Sequence, residues 1–414
     1  VRRGGAVART MLIQAAADAW KVPPSECSAA NSVITHTPSG RTTTYGKVAE
    51  AASRITPPKD VALKDPKIWK LIGKPVKRLD TVDKLTGKQV YGADLKMPGM
   101  LNAAIMECPV FGGKVKSFDA AKVASRKGVK KVVQVGDSAV AVIADTWWQA
   151  KTTLDALPIV WDEGPNAKVS SASVAEILKA GLDAEQAFVG NDAGDAKKAL
   201  AGAAKKVEAV YSYPYQNHAC MEVMNATALI TPAKAGTPER CEVWTPTQNG
   251  EAALAATAEA AGLPAAKCEV YKLHLGGGFG RRFELDFAIE AVQLSKAVGA
   301  PVKVIWSRED DMQHDWYRPA SYVKMSAALD AEGWPVAFTS DIACPPFPNV
   351  NAQGISTTAV DGFEQVQYAI PNIQVDYHRS DTHVPVSFWR SVGWSQNGFF
   401  LESFVDEMAA ASGK

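Results

Sequence analysis

The chain has 414 residues, more than one ordinary hydrophobic core can serve, so we expect two or three domains. It carries 45 Lys and Arg against 44 Asp and Glu. This balance argues against nucleic acid as a partner, because nucleic-acid binding uses a strong positive field. No apolar run approaches the roughly 20 residues of a membrane-spanning helix.

The cysteines and histidines are scattered along the chain, with no C-x-x-C pair and no short-range Cys/His cluster. We therefore expect no metal or iron–sulfur cluster held by protein ligands in this chain, and we interpret the histidines as ordinary. The cysteines fit half-buried free thiols, although their spacing leaves disulfides open. They are Cys27, Cys108, Cys220, Cys241, Cys268 and Cys344.

The first part of the chain predicts a small α+β unit over residues 1–55. An Ala-rich helical pattern covers residues 7–20, a hairpin with Pro-Ser-Gly at its turn follows, and residues 47–53 predict a second helix. Residues 56–80 contain four Pro and many Lys, the composition of an extended linker. The sequence begins at Val1 without a methionine and ends at Lys414, so we expect both ends to be interior points of a longer chain.

Residues 81–165 predict one compact α+β domain that is rich in strands. Strand patterns cover residues 100–108, 129–135, 138–145 and 158–164, and a helix is predicted over 146–157. Residues 166–205 are rich in Ala, Lys, Asp and Gly, with helical pieces but no strong apolar stripe. We interpret them as a connection that packs on the surface.

Residues 206–414 alternate between strand and helix patterns and predict one α/β layer. Predicted strands cover 207–215, 225–231, 241–247, 268–275 and 301–307, with helices over 250–262 and 284–298. The second helix places Leu285, Ala288, Ile289 and Val292 on one face.

A glycine-rich loop, LHLGGGFGRRFELD, connects a predicted strand to a predicted helix. Its glycines let backbone amides approach an anion or an oxo group, although a tight turn that needs positive φ explains them equally well. The spacing is not G-x-G-x-x-G, because Arg281 occupies the last position, and no G-K-[ST] follows. A nucleotide-binding protein is therefore disfavoured.

Two further segments have the look of ligand-binding loops. In TPTQNGE, Gln248 and Asn249 lie at a strand-to-helix turn, where their amides either cap the helix or reach a ligand. In SFWRSVGWSQNGFF, Arg390 and Gly393 lie in an aromatic-flanked loop before a helix. An arginine there either clamps an oxyanion or pairs with a carboxylate.

In order and spacing, these three loops resemble those of the molybdenum hydroxylases, the xanthine oxidase and aldehyde oxidoreductase family, where the counterparts read TQN, GGGFGGK and FRGFGGPQ. Residues 72–120 resemble the opening of that family's hammerhead domain. GGGFGRRFELDFA and HACMEVMNATA are similar to the group of the isoquinoline 1-oxidoreductase β subunit and the membrane-bound aldehyde dehydrogenase large subunit.

The resemblance implies an α+β fold in which an α/β hammerhead-like domain (81–165) is followed by the first molybdopterin-binding domain (206–414, truncated at its C-terminus). Residues 1–55 then resemble part of the second cofactor domain, placed ahead of the hammerhead domain as in that group. The rest of the same large subunit is implied as a partner.

The resemblance also implies roles for individual residues. Gln248 corresponds to the glutamine that hydrogen-bonds a ligand of molybdenum. Arg390 becomes the catalytic residue on the substrate side, and Gly393 lets its loop pass close. Cofactor-binding backbone groups are implied at Gly277, Gly278, Phe279 and Gly280.

The implied reaction is hydroxylation of an aldehyde or an N-heteroaromatic compound with oxygen derived from water. The implied cofactor is molybdopterin cytosine dinucleotide with molybdenum, and electrons leave to [2Fe–2S] clusters on a small subunit and to haem c on a membrane-anchored cytochrome subunit. A purine is not expected, because Arg282 and Phe283 precede Glu284 where purine-specific members have a glutamate one place earlier. An aromatic substrate wall, or simple packing, accounts for Phe279, Phe283, Trp389 and Trp394.

The general base of this reaction is expected to be a glutamate in a GxGE-type segment beyond Lys414, since Glu251 belongs to a different loop. Glu222, next to His218, is left as either catalytic or structural. The group implies a periplasmic location, with membrane association through a partner as a variant and a cytoplasmic location left open. The alternative function is a non-catalytic, cofactor-free scaffold or paralogue with a role in interaction.

Overall fold

The computed structural model describes residues 1–234, 238–352 and 354–414. They form two compact units, Val1–Lys88 and Gln89–Lys414. The predicted α+β class is confirmed, because both units combine helices with sheets. The finer boundaries at residues 55, 80, 165 and 205 stay predictions.

The first unit is a small α+β body with an antiparallel sheet in the order β1-β2-β3. Helices α1 and α2 pack against each other and against this sheet around Ala16, Ile34 and Val48. Its elements are α1 Arg2–Trp20, α2 Tyr45–Ser53, α3 Thr81–Leu85, β1 Cys27–Ala30, β2 Val33–His36 and β3 Thr42–Thr44.

The second unit carries the three predicted loops. Its helices are α4 Trp147–Leu154, α5 Ser171–Gly181, α6 Ala196–Gly202, α7 Gly250–Ala261, α8 Asp286–Val298, α9 Arg308–Gln313 and α10 Gly393–Ser412. Its strands are β4 Leu101–Glu107, β5 Lys114–Phe118, β6 Val129–Val135, β7 Ala139–Ala144, β8 Ile159–Asp162, β9 Phe188–Ala193, β10 Lys205–Tyr213, β11 Asn225–Thr231, β12 Arg240–Thr245, β13 Cys268–Lys272, β14 Val302–Ile305, β15 Ser321–Leu329, β16 Pro335–Cys344 and β17 Asn372–Arg379.

A mixed sheet in the order β13-β12-β11-β14-β4-β7-β6 forms the larger layer. Strand β7 reads AVAVIA and is buried on both faces: Ala141 and Ile143 face the core beneath α8, while Val140 and Val142 face α4. Strands β4, β6 and β7 come from residues predicted as a separate domain. Local sequence pattern reveals a strand but not its partner, so this sharing of one sheet was not predicted.

A second sheet, in the order β10-β15-β16-β17-β9, packs against α10 around Phe338, Phe363 and Phe404. Strand β9 lies in the stretch interpreted as a surface connection and pairs antiparallel with β17. Its sequence, FVGNDA, has only two large apolar residues and lies at a sheet edge, so it gave no strand signal. Within the same stretch, α5 buries Val174 and Leu178.

Helix α8 begins at Asp286, two residues later than predicted, and ends at Val298, where Gly299 caps it with φ 66. Ala288 and Val292 are buried as predicted, but Leu285 is the residue before the helix and Ile289 is only half-buried. The buried face of α8 instead includes Phe287, Ala291 and Leu294. The helix is therefore rotated about its axis relative to the predicted orientation, and Glu290 points into the interior.

Candidate functional site

The glycine loop (residues 276–282) joins β13 to α8 and needs its glycines for its own conformation. Gly277 and Gly280 have φ 107 and 118, and Phe279 has φ 56, a region that side chains rarely adopt. A Cβ atom at position 280 would lie 1.6 Å from the carbonyl oxygen of Phe388. The turn explanation of these glycines is therefore correct, and it leaves room for a ligand role.

Gln248 lies against this loop. Its Oε1 accepts hydrogen bonds from the backbone N–H of Gly280 (3.0 Å) and of Arg282 (3.3 Å). A Cβ at Gly278 would lie 2.5 Å from the same oxygen. Because two amides hold the oxygen, the Nε2 of Gln248 is the end that remains to donate. Asn249 caps α7 by accepting from Ala252 N at 3.1 Å, so capping is correct for that residue.

Three consecutive backbone amides of the glycine loop have no protein acceptor within the described ranges: those of Gly277, Gly278 and Phe279. Successive free N–H groups in a tight loop form an electropositive concavity that suits an anion or an oxo group. The sequence also predicted a cofactor-binding backbone group at Gly280. Its amide already donates to Gln248, so it has no free N–H for a ligand.

Arg282 supports the loop from below and is fully buried. Its Nε donates to Gly277 O at 2.7 Å, and its Nη2 donates to Glu222 O at 2.7 Å and to the Glu222 carboxylate at 3.2 Å. That carboxylate also accepts from the backbone N–H of Gly276 and of Ala93. Of the two roles left open for Glu222, the structure therefore favours the structural one. Burial lowers the pKa of Arg282, and Glu222 opposes this shift.

Arg281 is also buried and reaches two carboxylates. Its Nη atoms donate to Asp286 at 3.1 and 2.8 Å, and its Nε lies 3.1 Å from Asp315 Oδ1. The guanidinium stacks 5.3 Å from the centre of the Trp306 ring. Burial opposes the charge on Arg281, but Asp286 and Asp315 outweigh it and raise its pKa. Both arginines are thus structural cations.

His218 bridges the same network to the third loop. Its Nδ1 lies 3.0 Å from both carboxylate oxygens of Asp315, and its Nε2 lies 2.9 Å from the carbonyl oxygen of Phe388. The ring is almost completely buried. Sequence reasoning treated this histidine as ordinary, because the residues that it contacts are far away in the chain.

The arginine loop (residues 387–393) lies directly against the glycine loop, since Arg390 N donates to Phe279 O at 2.8 Å. The side chain of Arg390 is exposed, and within the described part of the chain its guanidinium pairs with no carboxylate. Ser391 and Val392 have φ 70 and 51, a strained conformation, above all for β-branched Val392.

Gly393 begins α10 where the chain passes very close to another segment. A Cβ at this position would lie 1.9 Å from the carbonyl oxygen of Thr358. Packing therefore demands a glycine here, and the cofactor-binding role that the sequence gave it stays a prediction. Of the four aromatic residues, Phe279, Phe283 and Trp394 are exposed, whereas Trp389 is half-buried beneath the guanidinium of Arg318, 4.9 Å from its ring.

A buried acidic cluster lies next to Arg281 and was not anticipated. Trp306 Nε1 donates to Glu290 Oε2 at 2.7 Å, and His314 Nδ1 lies 3.7 Å from Glu107. Burial, reinforced by Asp286, raises the pKa of Glu107 to about 7. Burial also raises the pKa of Glu290 well above its usual value and lowers that of His314 to about 4.

All six cysteines lie in the described ranges and are free thiols. Burial raises the pKa of Cys220, whose Sγ lies 3.4 Å from Gly278 O, to about 11. Among the residues that the structure covers, no group of His, Cys, Asp and Glu is arranged to hold a metal ion. No helix in those residues has the length and apolarity that crossing a membrane requires.

The site is thus a strand-to-helix loop with three free amides, a fixed glutamine amide and an exposed arginine beside it. Residues 182–414 match the molybdopterin cofactor-binding domain family, which is more than half of the chain. The chain belongs to this family, and the family predicted from the three loops is confirmed.

Two curated relatives are similar to this chain over nearly all of its own length. The chain is 27% identical to the isoquinoline 1-oxidoreductase subunit beta of Brevundimonas diminuta, covering 99% of the chain and 58% of the relative. It is 29% identical to a membrane-bound aldehyde dehydrogenase [pyrroloquinoline-quinone] of Gluconacetobacter polyoxogenes, covering 99% and 55%. The chain therefore spans about half the length of these relatives.

The fold is shared with solved structures. Quinoline 2-oxidoreductase from Pseudomonas putida 86 superimposes with a TM-score of 0.68 at 21% identity, covering 83% of this chain and 49% of that one. At this identity the likeness shows the fold alone. The free amides and the orientation of Gln248 fit a molybdopterin-type group, because such a group presents oxygen and sulfur acceptors.

Proposed function

We propose that this chain is part of the molybdenum-cofactor-binding catalytic subunit of an oxidoreductase that hydroxylates an aldehyde or an N-heteroaromatic compound. The observation that carries the proposal is the set of three adjacent free amides at Gly277, Gly278 and Phe279 beside the Nε2 of Gln248. The names of the relatives, an isoquinoline oxidoreductase and an aldehyde dehydrogenase, support both substrate classes.

In this proposal the glycine loop and Gln248 hold the cofactor. When bound, the cofactor would oxidise the substrate and introduce oxygen derived from water. The amides are fixed before any ligand arrives, because Arg282 holds Gly277 O and Gln248 holds Gly280 N. Fixed N–H dipoles stabilise negative charge without reorganising during the reaction. We assign Gly277, Gly278 and Phe279 as donors, and Gly280 and Gly393 as the residues that let neighbouring segments approach.

Arg390 is proposed to bind the substrate and to stabilise negative charge that develops on it. Its guanidinium is exposed and has no carboxylate partner among the described residues, while its backbone is attached to the glycine loop. An arginine that is not paired with a carboxylate can donate hydrogen bonds from its planar guanidinium to an oxyanion. Phe279, Phe283 and Trp394 are exposed and supply apolar surface for an aromatic or aliphatic substrate.

The proton acceptor is proposed to come from elsewhere in the protein. Glu222 lies against the glycine loop, but three donors already hold its carboxylate, namely Arg282 and two backbone amides. Since the chain spans about half of the relatives it matches, a glutamate in the other half of such a subunit is the proposed base.

The finer biochemical context is also proposed from the family. We propose the cytosine dinucleotide form of molybdopterin, a small subunit with [2Fe–2S] clusters and a cytochrome c subunit as electron acceptors. A periplasmic location, with membrane association through a partner, follows from the same group, of which one relative is named membrane-bound.

The test is cofactor analysis of the full-length protein purified from a host that makes the cofactor. We expect stoichiometric molybdenum and oxidised-pterin fluorescence in the wild type and in Gln134→Ala, a control at an exposed glutamine on β6. Gln248→Ala should lose most of both signals. A wild-type protein with neither metal nor pterin would overturn the proposal in favour of the cofactor-free scaffold.

A further inference from the structure

The ring of His218 is held between two acceptors on opposite sides. Asp315 presents both carboxylate oxygens 3.0 Å from Nδ1, and Phe388 presents its carbonyl oxygen 2.9 Å from Nε2. None of these three oxygens can donate a proton when Asp315 is ionised. Either neutral tautomer of the imidazole would therefore leave a nitrogen lone pair facing an oxygen at hydrogen-bond distance inside the protein.

The charges around this ring favour the doubly protonated form. Arg281 is the guanidinium on Asp315, and it also neutralises Asp286. One positive charge therefore faces two buried or half-buried carboxylates, and an imidazolium at His218 supplies the second. Buried charges of this kind are tolerated only when they are paired and hydrogen-bonded.

Phe388 and Arg390 hold the arginine loop at the glycine loop, while Ser387 and Trp389 bind it to Glu284 and to Asn217 O. The carbonyl of Phe388 points at Nε2 of His218, and it occupies the space that a Cβ at position 280 would need. Two residues later, Arg390 N donates to Phe279 O. The backbone then passes through the strained residues Ser391 and Val392, a conformation that persists only where neighbours enforce it.

We propose that His218 is a positioning residue, held as an imidazolium, that fixes the arginine loop against the glycine loop and so places Arg390. It acts through the Phe388 carbonyl and not on the substrate. The expected effect on catalysis rests on the function proposed above for Arg390. The protonation of His218 and its contact with the arginine loop do not depend on that function.

Two variants separate the two contacts of the ring. Asn places its amide nitrogen near the position of Nδ1, so His218→Asn keeps a donor to Asp315 and loses the donor to Phe388. Gln reaches the position of Nε2, so His218→Gln keeps the donor to Phe388 and loses the one to Asp315. The direct readout is hydrogen exchange of the Arg390 amide in the full-length subunit, measured on peptides that cover the arginine loop.

We expect His218→Asn to speed exchange of the Arg390 amide by about tenfold or more, because a hydrogen bond to a charged donor is lost, and His218→Gln to speed it less. In the ¹⁵N spectrum of histidine-labelled wild type, both ring nitrogens of His218 should carry protons; its signals are those missing from the variants. In the active enzyme, His218→Asn should lower kcat/KM about tenfold at unchanged molybdenum content.

A single protonated ring nitrogen in the wild type would overturn the assignment of His218 as an imidazolium, and equal exchange in His218→Asn and wild type would overturn the positioning role. Slower turnover without faster exchange would do the same. If the ring is doubly protonated and the loop loosens in His218→Asn, but the protein contains no molybdenum, the inference about His218 stands and the proposed function fails.

Discussion

The glycine loop and the arginine loop form two sides of one site but are stabilised in opposite ways. The glycine loop is supported from beneath by two buried arginines and by Gln248. The arginine loop carries strain at two residues and has the Arg390 side chain in solvent. It contacts the glycine loop through Arg390 N and contacts His218 through the Phe388 carbonyl. The buried side chains of the core thus support the glycine loop, and the glycine loop in turn positions the arginine loop.

This difference separates stability from function along the chain. Substitutions beneath the glycine loop should lower the free energy of unfolding, whereas substitutions at the exposed tip of the arginine loop should leave the protein folded and inactive. Four substitutions test this contrast, taken in order of their expected effect on the free energy of unfolding.

Arg281→Met should have the largest effect. It leaves Asp315 buried with one partner fewer and removes both hydrogen bonds to Asp286, a loss of about 3–5 kcal/mol in the free energy of unfolding. Arg54→Met is the control, since it breaks an exposed ion pair with Glu50 and should cost less than about 1 kcal/mol. Urea unfolding of both variants measures the difference; equal losses would contradict the claim that the loop is supported from the core.

Gly280→Ala should come next, because its Cβ collides with the Phe388 carbonyl and φ is 118. We expect a loss of about 1–3 kcal/mol and displacement of the arginine loop. Gly398→Ala on α10 has open space around its Cβ and should gain about 0.5–1 kcal/mol. Thermal unfolding and exchange of the Arg390 amide report the two effects. An unchanged arginine loop in Gly280→Ala would show that the two loops are not locked together.

Glu107→Gln should alter how stability depends on pH. The folded protein holds a proton on Glu107 up to about pH 7, whereas the unfolded chain releases it near pH 4.5, so this group makes the wild type lose stability as pH rises between these values. The variant lacks that loss. Its stability relative to wild type should therefore rise from pH 5 to pH 8 in urea unfolding, and a flat difference would place the proton elsewhere in the acidic cluster.

Arg390→Ala should have the smallest effect on folding, within about 0.5 kcal/mol, because the side chain is exposed and unpaired in the described residues. Turnover should nonetheless fall about 100-fold, the loss typical of a removed donor to a developing oxyanion. Arg379→Ala, at an exposed ion pair with Asp381, should keep normal turnover. Steady-state kinetics of the full enzyme decide this, and a normal kcat/KM in Arg390→Ala would remove it from the site.

Much of the secondary structure was readable because it depends on local pattern. The strands predicted at 129–135 and 225–231 match the observed β6 and β11 residue for residue. The ordered series of loops also sufficed for the family. The roles of Gln248, Arg390 and the loop glycines still await a test, although their proximity is now visible.

The supports of the site could not be predicted, because they depend on long-range placement. Arginine is seldom buried, so Arg281 and Arg282 appeared as markers of a subgroup and not as the base of the loop. The inward position of Glu290 follows from how α8 rotates on its sheet, and the neighbours of His218 lie about a hundred or more residues away.

The contact between His218 and Phe388 joins residues that lie 170 positions apart in the chain. During synthesis the glycine loop leaves the ribosome before the arginine loop. For that time the glycine loop lacks the contact with the arginine loop. Contacts of such high sequence separation form late and slowly. The two sides of the site therefore cannot meet until the arginine loop has been synthesised, and until then the glycine loop is uncovered on that side.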